Sequence, residues 1–126
     1  MVDITPLVAA GRKIIQSYGK GGFRISEESF SGPLLVFPSM VASWDVPENP
    51  AELDVGHFAP LIGAEDVDVV LFGGGKSAFF LPPEKQMLLT AQGIVVEAMD
   101  TGAACRTYNV LMAEDRRIAA ALYPCP

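Results

Sequence analysis

Between Glu97 and Arg117 the stretch EAMDTGAACRTYNVLMAEDRR brings an acid, a hydroxyl, a thiol, a guanidinium, a phenol and an amide into ten residues: Asp100, Thr101, Cys105, Arg106, Tyr108 and Asn109. Two chemistries suit such a set. A thiol in the first turns of a helix, beside Arg106, has its pKa pulled down by the helix dipole and the guanidinium, which would make Cys105 a nucleophile. Free backbone N–H groups at the same helix start would hold an anion. A second glycine-rich stretch, Gly73, Gly74, Gly75 and Lys76, offers further amides and a countercharge alongside Arg106.

Each chemistry has a plainer counterpart. A cysteine nucleophile for acyl transfer needs a base, and the single histidine, His57, lies in a proline-rich loop with no spacing that ties it to Cys105. Small buried cysteines are common in cores, so Cys105 reads first as a core thiol. His57 has no second His or Cys at metal-ligand spacing and reads as a structural histidine; no metal and no cofactor is expected. GGGKS has neither the spacing of a phosphate loop nor a dinucleotide fingerprint, and it reads first as a strand-to-helix connection. Asp100 or Thr101 can cap the helix, Arg106 and Asn109 can lie on its surface or bond a neighbouring loop, and Tyr108 can bury its ring with its hydroxyl at the boundary.

The elements that position these residues follow from pattern. GRKIIQSYGKGGFRIS sets two β-favouring runs around Gly19 to Gly22, a strand–turn–strand. Leu34 to Phe37 and Met40 to Val46 read as two more strands, making the first half strand-rich. The stretch PENPAELDVGHFAPLIGAEDVD, with Glu48, Glu52, Asp54, Glu65, Asp66 and Asp68, predicts a loop with one short helical turn. VDVVLFGGG has the continuous apolar run of a strand buried on both faces. A helix follows over LPPEKQMLLTAQG, with Met87, Leu88 and Ala91 as its apolar positions and Gly93 as its stop. IVVEAM reads as the next buried strand, Asp100-Thr101 as the cap of a second helix carrying Ala104, Tyr108, Leu111 and Met112, and RRIAAALYP as a last strand. The second half is thus β-α-β-α-β. Parallel strands with right-handed crossovers put Gly73–Lys76 and Asp100–Arg106 on one edge of the sheet, where α/β sheets bind ligands. Phe79 and Phe80 fall in a loop and cannot easily both point inward, so an apolar surface there would mark a partner-binding site.

Composition bounds the rest. The 126 residues, half of them hydrophobic, fit a single domain over 1–126 able to bury roughly two-thirds of its unfolded surface. A net charge of −6 repels phosphate backbones and speaks against nucleic acid as a partner. No apolar run nears the ~20 residues of a transmembrane helix. MVDITPLVAAGRKIIQ lacks signal- and transit-peptide features, so a cytoplasmic location is expected. Cys105 and Cys125, two cysteines in such a chain, read as free thiols.

YGKGGFRI, GPLLVFPSMVASWDV, LPPEKQMLLTAQGIVVEAMDTGAACRTYNVL and EDRRIAAALYP together resemble domain-of-unknown-function family 498, from about Ile14 to Pro124 and most specifically from Gly93 to Leu111. That family includes the mitochondrial respiratory complex I assembly factor three and an adipogenesis-associated protein. The resemblance implies a three-layer α/β fold with a central mixed sheet, to which the strand-rich N-terminal half would add a β layer. It also implies a non-enzymatic accessory or assembly factor whose partner is a protein, such as a respiratory or other membrane complex; a homo-oligomer is compatible with it. The family carries no established catalytic residues to place here, and the lack of a presequence points to a bacterial protein. The alternative is a small anionic ligand-binding protein or enzyme using the crevice between Gly73–Lys76 and Asp100–Arg106.

Overall fold

Two tight reversals build the first sheet. In the computed structural model, which describes residues 11–64 and 66–126, strands β1 (Ile15–Gly19) and β2 (Gly22–Ile25) pair antiparallel. The residues that bear on a leader before Gly11, and Glu65 of the acidic loop, lie outside the described residues. Lys20 and Gly21 connect the two strands with φ of 53° and 78°, the double positive φ of a type I′ turn, whose twist suits a hairpin. Ser26 (φ 45°) and Glu27 (φ 74°) make a second such reversal into β3 (Glu28–Ser31). No glycine or asparagine marks this turn, and side chains stabilise it instead. The Ser26 hydroxyl accepts from the Ile14 N–H at 3.0 Å, and Gln16 both accepts from the Glu27 N–H at 3.0 Å and donates to its carboxylate at 2.7 Å.

The second sheet has five strands in the order β5-β4-β8-β6-β7. β4 (Leu34–Val36) pairs antiparallel with β5 (Val41–Ser43) and with β8 (Ile118–Leu122), while β6 (Val69–Gly73) runs parallel to β8 and to β7 (Val95–Met99). The mixed sheet and the β-α-β-α-β order match the reading of the second half. One expectation is corrected: only β1 to β3 form the extra β layer. β4 is buried on both faces and β5 follows it into the central sheet, because Leu34, Leu35 and Val36 need apolar cover on both sides.

Side chains alternate across this sheet. Leu35, Val70, Phe72, Ala121 and Tyr123 face a layer made by Trp44, the loop that follows it and helix α1 (Pro83–Ala91). Leu34, Val36, Leu71, Ala120 and Leu122 face helix α2 (Thr101–Ala113) and the small sheet, through Ala104, Tyr108, Met112, Phe23 and Ile25. Two 3-10 turns, Pro50–Glu52 and Val55–Phe58, replace the single helical turn expected, since Asn49 and Asp54 each cap one of them. The apolar face assigned to α1 is also corrected. Leu89 is its one buried residue, while Met87 and Leu88 are 71 % and 56 % exposed. Lys85, one turn before Leu89, points the same way and donates to the Leu53 carbonyl, which fixes the helix roll. β7 is an edge strand rather than a buried one, because α2 lies over β6 and β8.

Thr101 ties these parts together. It is fully buried; its Oγ1 accepts from the Gly75 N–H at 2.8 Å and donates to the Tyr123 carbonyl at 2.6 Å, while its own N–H donates to the Gly75 carbonyl at 2.9 Å. Gly73 permits this approach, since a Cβ there would stand 2.8 Å from the hydroxyl and 2.9 Å from the Thr101 Cα. Thr101→Val keeps the shape and removes both hydroxyl bonds, stranding a buried donor and a buried acceptor. The expected loss is about 2–4 kcal/mol, read as a lower urea midpoint at unchanged slope. A loss within experimental error would show that the bridge contributes nothing.

Candidate functional site

The edge singled out by sequence exists. Parallel pairing of β6 with β7 brings Gly73 level with Met99, so Gly74–Lys76 and Asp100–Arg106 leave the sheet side by side. The chain itself already meets the donors there. Asp100 caps α2, its Oδ1 accepting from the Ala103 N–H at 2.8 Å and its carbonyl from the Ala104 N–H at 3.0 Å. The Thr101 N–H goes to Gly75, and the Gly74 N–H to the Met99 carbonyl at 3.0 Å. Gly74 is a packing glycine as well: a Cβ would stand 2.5 Å from the Ser77 carbonyl oxygen and 2.8 Å from the Phe79 nitrogen.

A shallow hollow of about 340 Å3 remains, walled by Tyr18, Gly75, Lys76, Asp100, Gly102 and Cys125. Lys76 is the cation in its lining and Asp100 is a carboxylate in the same lining; Arg106 lies outside it and donates to the Tyr18 hydroxyl at 3.0 Å. The Tyr18 ring covers Gly102, where a Cβ would meet the hydroxyl at 2.5 Å. An anion entering this hollow would meet a helix start already capped by Asp100.

Cys105 lies in the core beneath α2, 2 % exposed. Burial pushes its thiol up to about 12 and the neighbouring Cys125 adds to this, against a smaller downward pull from Arg106. Desolvation of the thiolate therefore outweighs the pull of Arg106, which favours the core-thiol reading of Cys105 over the nucleophile. Cys125 is also a free thiol raised by burial, with its Sγ 3.6 Å from the Gly75 carbonyl oxygen. The His57 Nδ1 accepts from the Asp54 N–H at 2.8 Å, a capping box on the second 3-10 turn, which makes it the structural histidine expected. Among the described residues no group of three or more His, Cys, Asp or Glu side chains gathers as a metal site. Nor is any helix there long and apolar enough to cross a membrane. Asn109 reaches β1 instead of solvent, accepting from the Ile15 N–H at 2.9 Å and donating to its carbonyl at 2.8 Å. The Tyr108 hydroxyl donates to the Lys13 carbonyl at 2.9 Å.

Phe79 and Phe80 divide as their loop position predicts. Phe79 packs half-buried against the Trp44 side of the core, and Phe80 is 69 % exposed. Met87 and Leu88 on α1 are also exposed, which the sequence reading misses because helical periodicity assigned those two residues inward. A larger hollow of about 530 Å3 at the opposite end of the sheet, between Phe37–Met40 and Asp115–Arg117, also escapes sequence reading. Its walls come from four separate stretches of chain. The Arg12–Asp115 ion pair, at 2.9 Å, lines it.

The model of the family described as "Protein of unknown function (DUF498/DUF598)" matches residues 15–123. The chain is 38 % identical over 117 residues to an uncharacterized protein of Rhodobacter capsulatus, covering 93 % of this chain and 89 % of that one. It is 33 % identical over 126 residues to a Danio rerio protein named NADH dehydrogenase (ubiquinone) 1 alpha subcomplex assembly factor 3, covering 99 % of this chain and 72 % of the relative. Among solved structures, a Bordetella parapertussis protein at 39 % identity superposes with a TM-score of 0.82 over 92 % of this chain and 98 % of that one. A Bordetella pertussis protein described as a Mth938-like domain, 33 % identical, superposes with a TM-score of 0.79 over 92 % of this chain and 88 % of that one. With 109 of its residues matched by one family model and relatives at this identity along nearly its whole length, the chain belongs to the DUF498/DUF598 family.

Proposed function

We propose that the protein is a non-enzymatic accessory factor that docks on a protein partner, a respiratory or other membrane assembly, and that it does so in a bacterial cytoplasm. The names of its relatives support an assembly role, and the Rhodobacter relative supports the bacterial setting. The observation that carries the docking is the outward face of α1. A surface helix ordinarily turns mainly polar residues to water, yet here Met87, Leu88 and the preceding Phe80 are exposed beside Glu84, Gln86 and Thr90. The reading with an anionic ligand between Gly73–Lys76 and Asp100–Arg106 has less in its favour, since the Gly74, Gly75, Thr101, Ala103 and Ala104 amides there are already bonded within the chain.

Affinity purification from native cells tests the proposal. Tagged wild-type protein is expected to bring down subunits of a respiratory or other membrane complex. The double change Phe80→Ser and Met87→Ser is expected to lower that recovery by about tenfold or more at unchanged thermal stability, the loss typical of truncating central interface residues. Recovery unaffected by the double change, or no complex with the wild type, would refute it.

A non-nucleophilic Cys105 has its own signature. In the folded protein Cys125 should alkylate first and Cys105 only on unfolding, with mass spectrometry after trypsin reporting each site. Because burial raises the Cys105 pKa above the ordinary 9.0, its contribution to stability is complete below about pH 9 and lost as pH climbs towards 12. Alkylation of Cys105 in the folded protein at the rate of a free thiol would reinstate the nucleophile.

A further inference from the structure

Among the described residues, strand β7 pairs with β6 on one side and with no strand on the other. In a parallel ladder alternate residues direct both N–H and C=O to the same neighbour. The Val95 N–H donates to the Asp68 carbonyl at 2.9 Å, and the Met99 carbonyl accepts from the Gly74 N–H at 3.0 Å. Val95, Glu97 and Met99 therefore bond inward, and the backbone groups of Val96 and Ala98 point out from the sheet. Natural edges are usually guarded by proline, charged side chains, a bulge or a covering element. β7, Val-Val-Glu-Ala-Met, has no proline and a single charge, Glu97, and its register with β6 is regular along all five residues.

Apolar side chains stand on both sides of this edge. Val96 and Ala98 pack into the Trp44 side of the core, the side on which α1 carries Met87 and Leu88. Met99 packs on the α2 side, which places Val95, 45 % exposed, on that face with Val110 of α2, 57 % exposed. A strand added to a sheet sends its side chains alternately to the two faces, so apolar surface on both is what such an addition requires.

We infer that the outer edge of β7 is the docking site for an extended segment of the partner, which adds to the central sheet as a further strand. The inference rests on the accessory-factor reading and names its surface. Glu97, exposed at the middle of β7, selects a segment with a basic residue opposite it. The same residue argues against a second copy of this chain: symmetric antiparallel pairing of two β7 strands would set Glu97 against Glu97, between molecules that each carry −6.

Hydrogen exchange on the wild-type protein, free and isolated with its partner, tests this together with two variants. Ala98→Pro removes one outward N–H while leaving the ladder to β6 intact, a position where edge strands tolerate proline; Glu97→Lys reverses the selecting charge on an exposed side chain. Slowed exchange at Val96 and Ala98 in the complex is expected, with partner recovery lowered about tenfold by each variant, equivalent to 1.4 kcal/mol. Unchanged exchange at 95–99 on binding, or full recovery with both variants, would overturn the edge while the accessory-factor reading stood. No partner with the wild type would remove that reading, and the edge with it.

Discussion

A single hydroxyl organises the carboxyl edge of the central sheet. Thr101 Oγ1 takes the Gly75 N–H and gives its proton to the Tyr123 carbonyl, so the ends of β6 and β8 and the start of α2 meet at one fully buried atom. In a medium that excludes water each of these groups must find a partner, and the bridge satisfies three at once. Its geometry dictates the neighbouring sequence. Position 73 has no room for a Cβ, and Gly75 turns with φ of 95° to offer both its N–H and its carbonyl. At the edge where α/β sheets commonly bind ligands, the Gly74, Gly75 and Thr101 amides are thus engaged by the chain's own hydrogen bonds.

The opposite face depends on aromatic packing. Trp44 stands edge-on to Phe58, Phe72 and Tyr123 at centroid distances of 5.5 to 6.1 Å. Its indole N–H donates to the His57 carbonyl at 2.8 Å, and the Tyr123 hydroxyl donates to the Pro47 carbonyl at 2.7 Å. Buried aromatics with polar tips need such acceptors, and the proline-rich loop supplies them. That loop therefore serves as a layer over the sheet, in place of a helix. α1 is left to cover the β7 end with one buried leucine, which is why its remaining apolar residues face outward.

The two faces together account for which side chains are left at the surface. Among the described residues the buried side-chain nitrogen and oxygen atoms are paired, and the thiol at Cys105 is desolvated. Of the exposed large apolar side chains, Phe80, Met87, Leu88 and Val95 lie on or next to α1 and β7, while Ile14, Tyr18 and Met40 lie elsewhere. Such a distribution supports the proposed docking role.

Much of this was legible in the chain. Period-two and period-3.6 patterns, together with Gly19–Gly22, Pro82-Pro83, Gly93 and the Asp100 cap, determined the hairpin, both helices, the parallel strands and the shared edge, because these depend on residues close in sequence. The turn at Ser26-Glu27 was hidden, since side chains from Gln16 and Arg24 stabilise it and no residue type announces it. The roll of α1, the edge position of β7 and the membership of β4 in the central sheet were decided by tertiary structure alone. An apolar residue near a helix surface or on a strand specifies burial only once something lies over it, and what lies over Met87 or Val95 is set by strand order and by the placement of α2, neither of which is a local property. The same holds for Cys105, whose helix-start position lowers a thiol pKa in sequence terms and whose burial, a property of the packed molecule, raises it further.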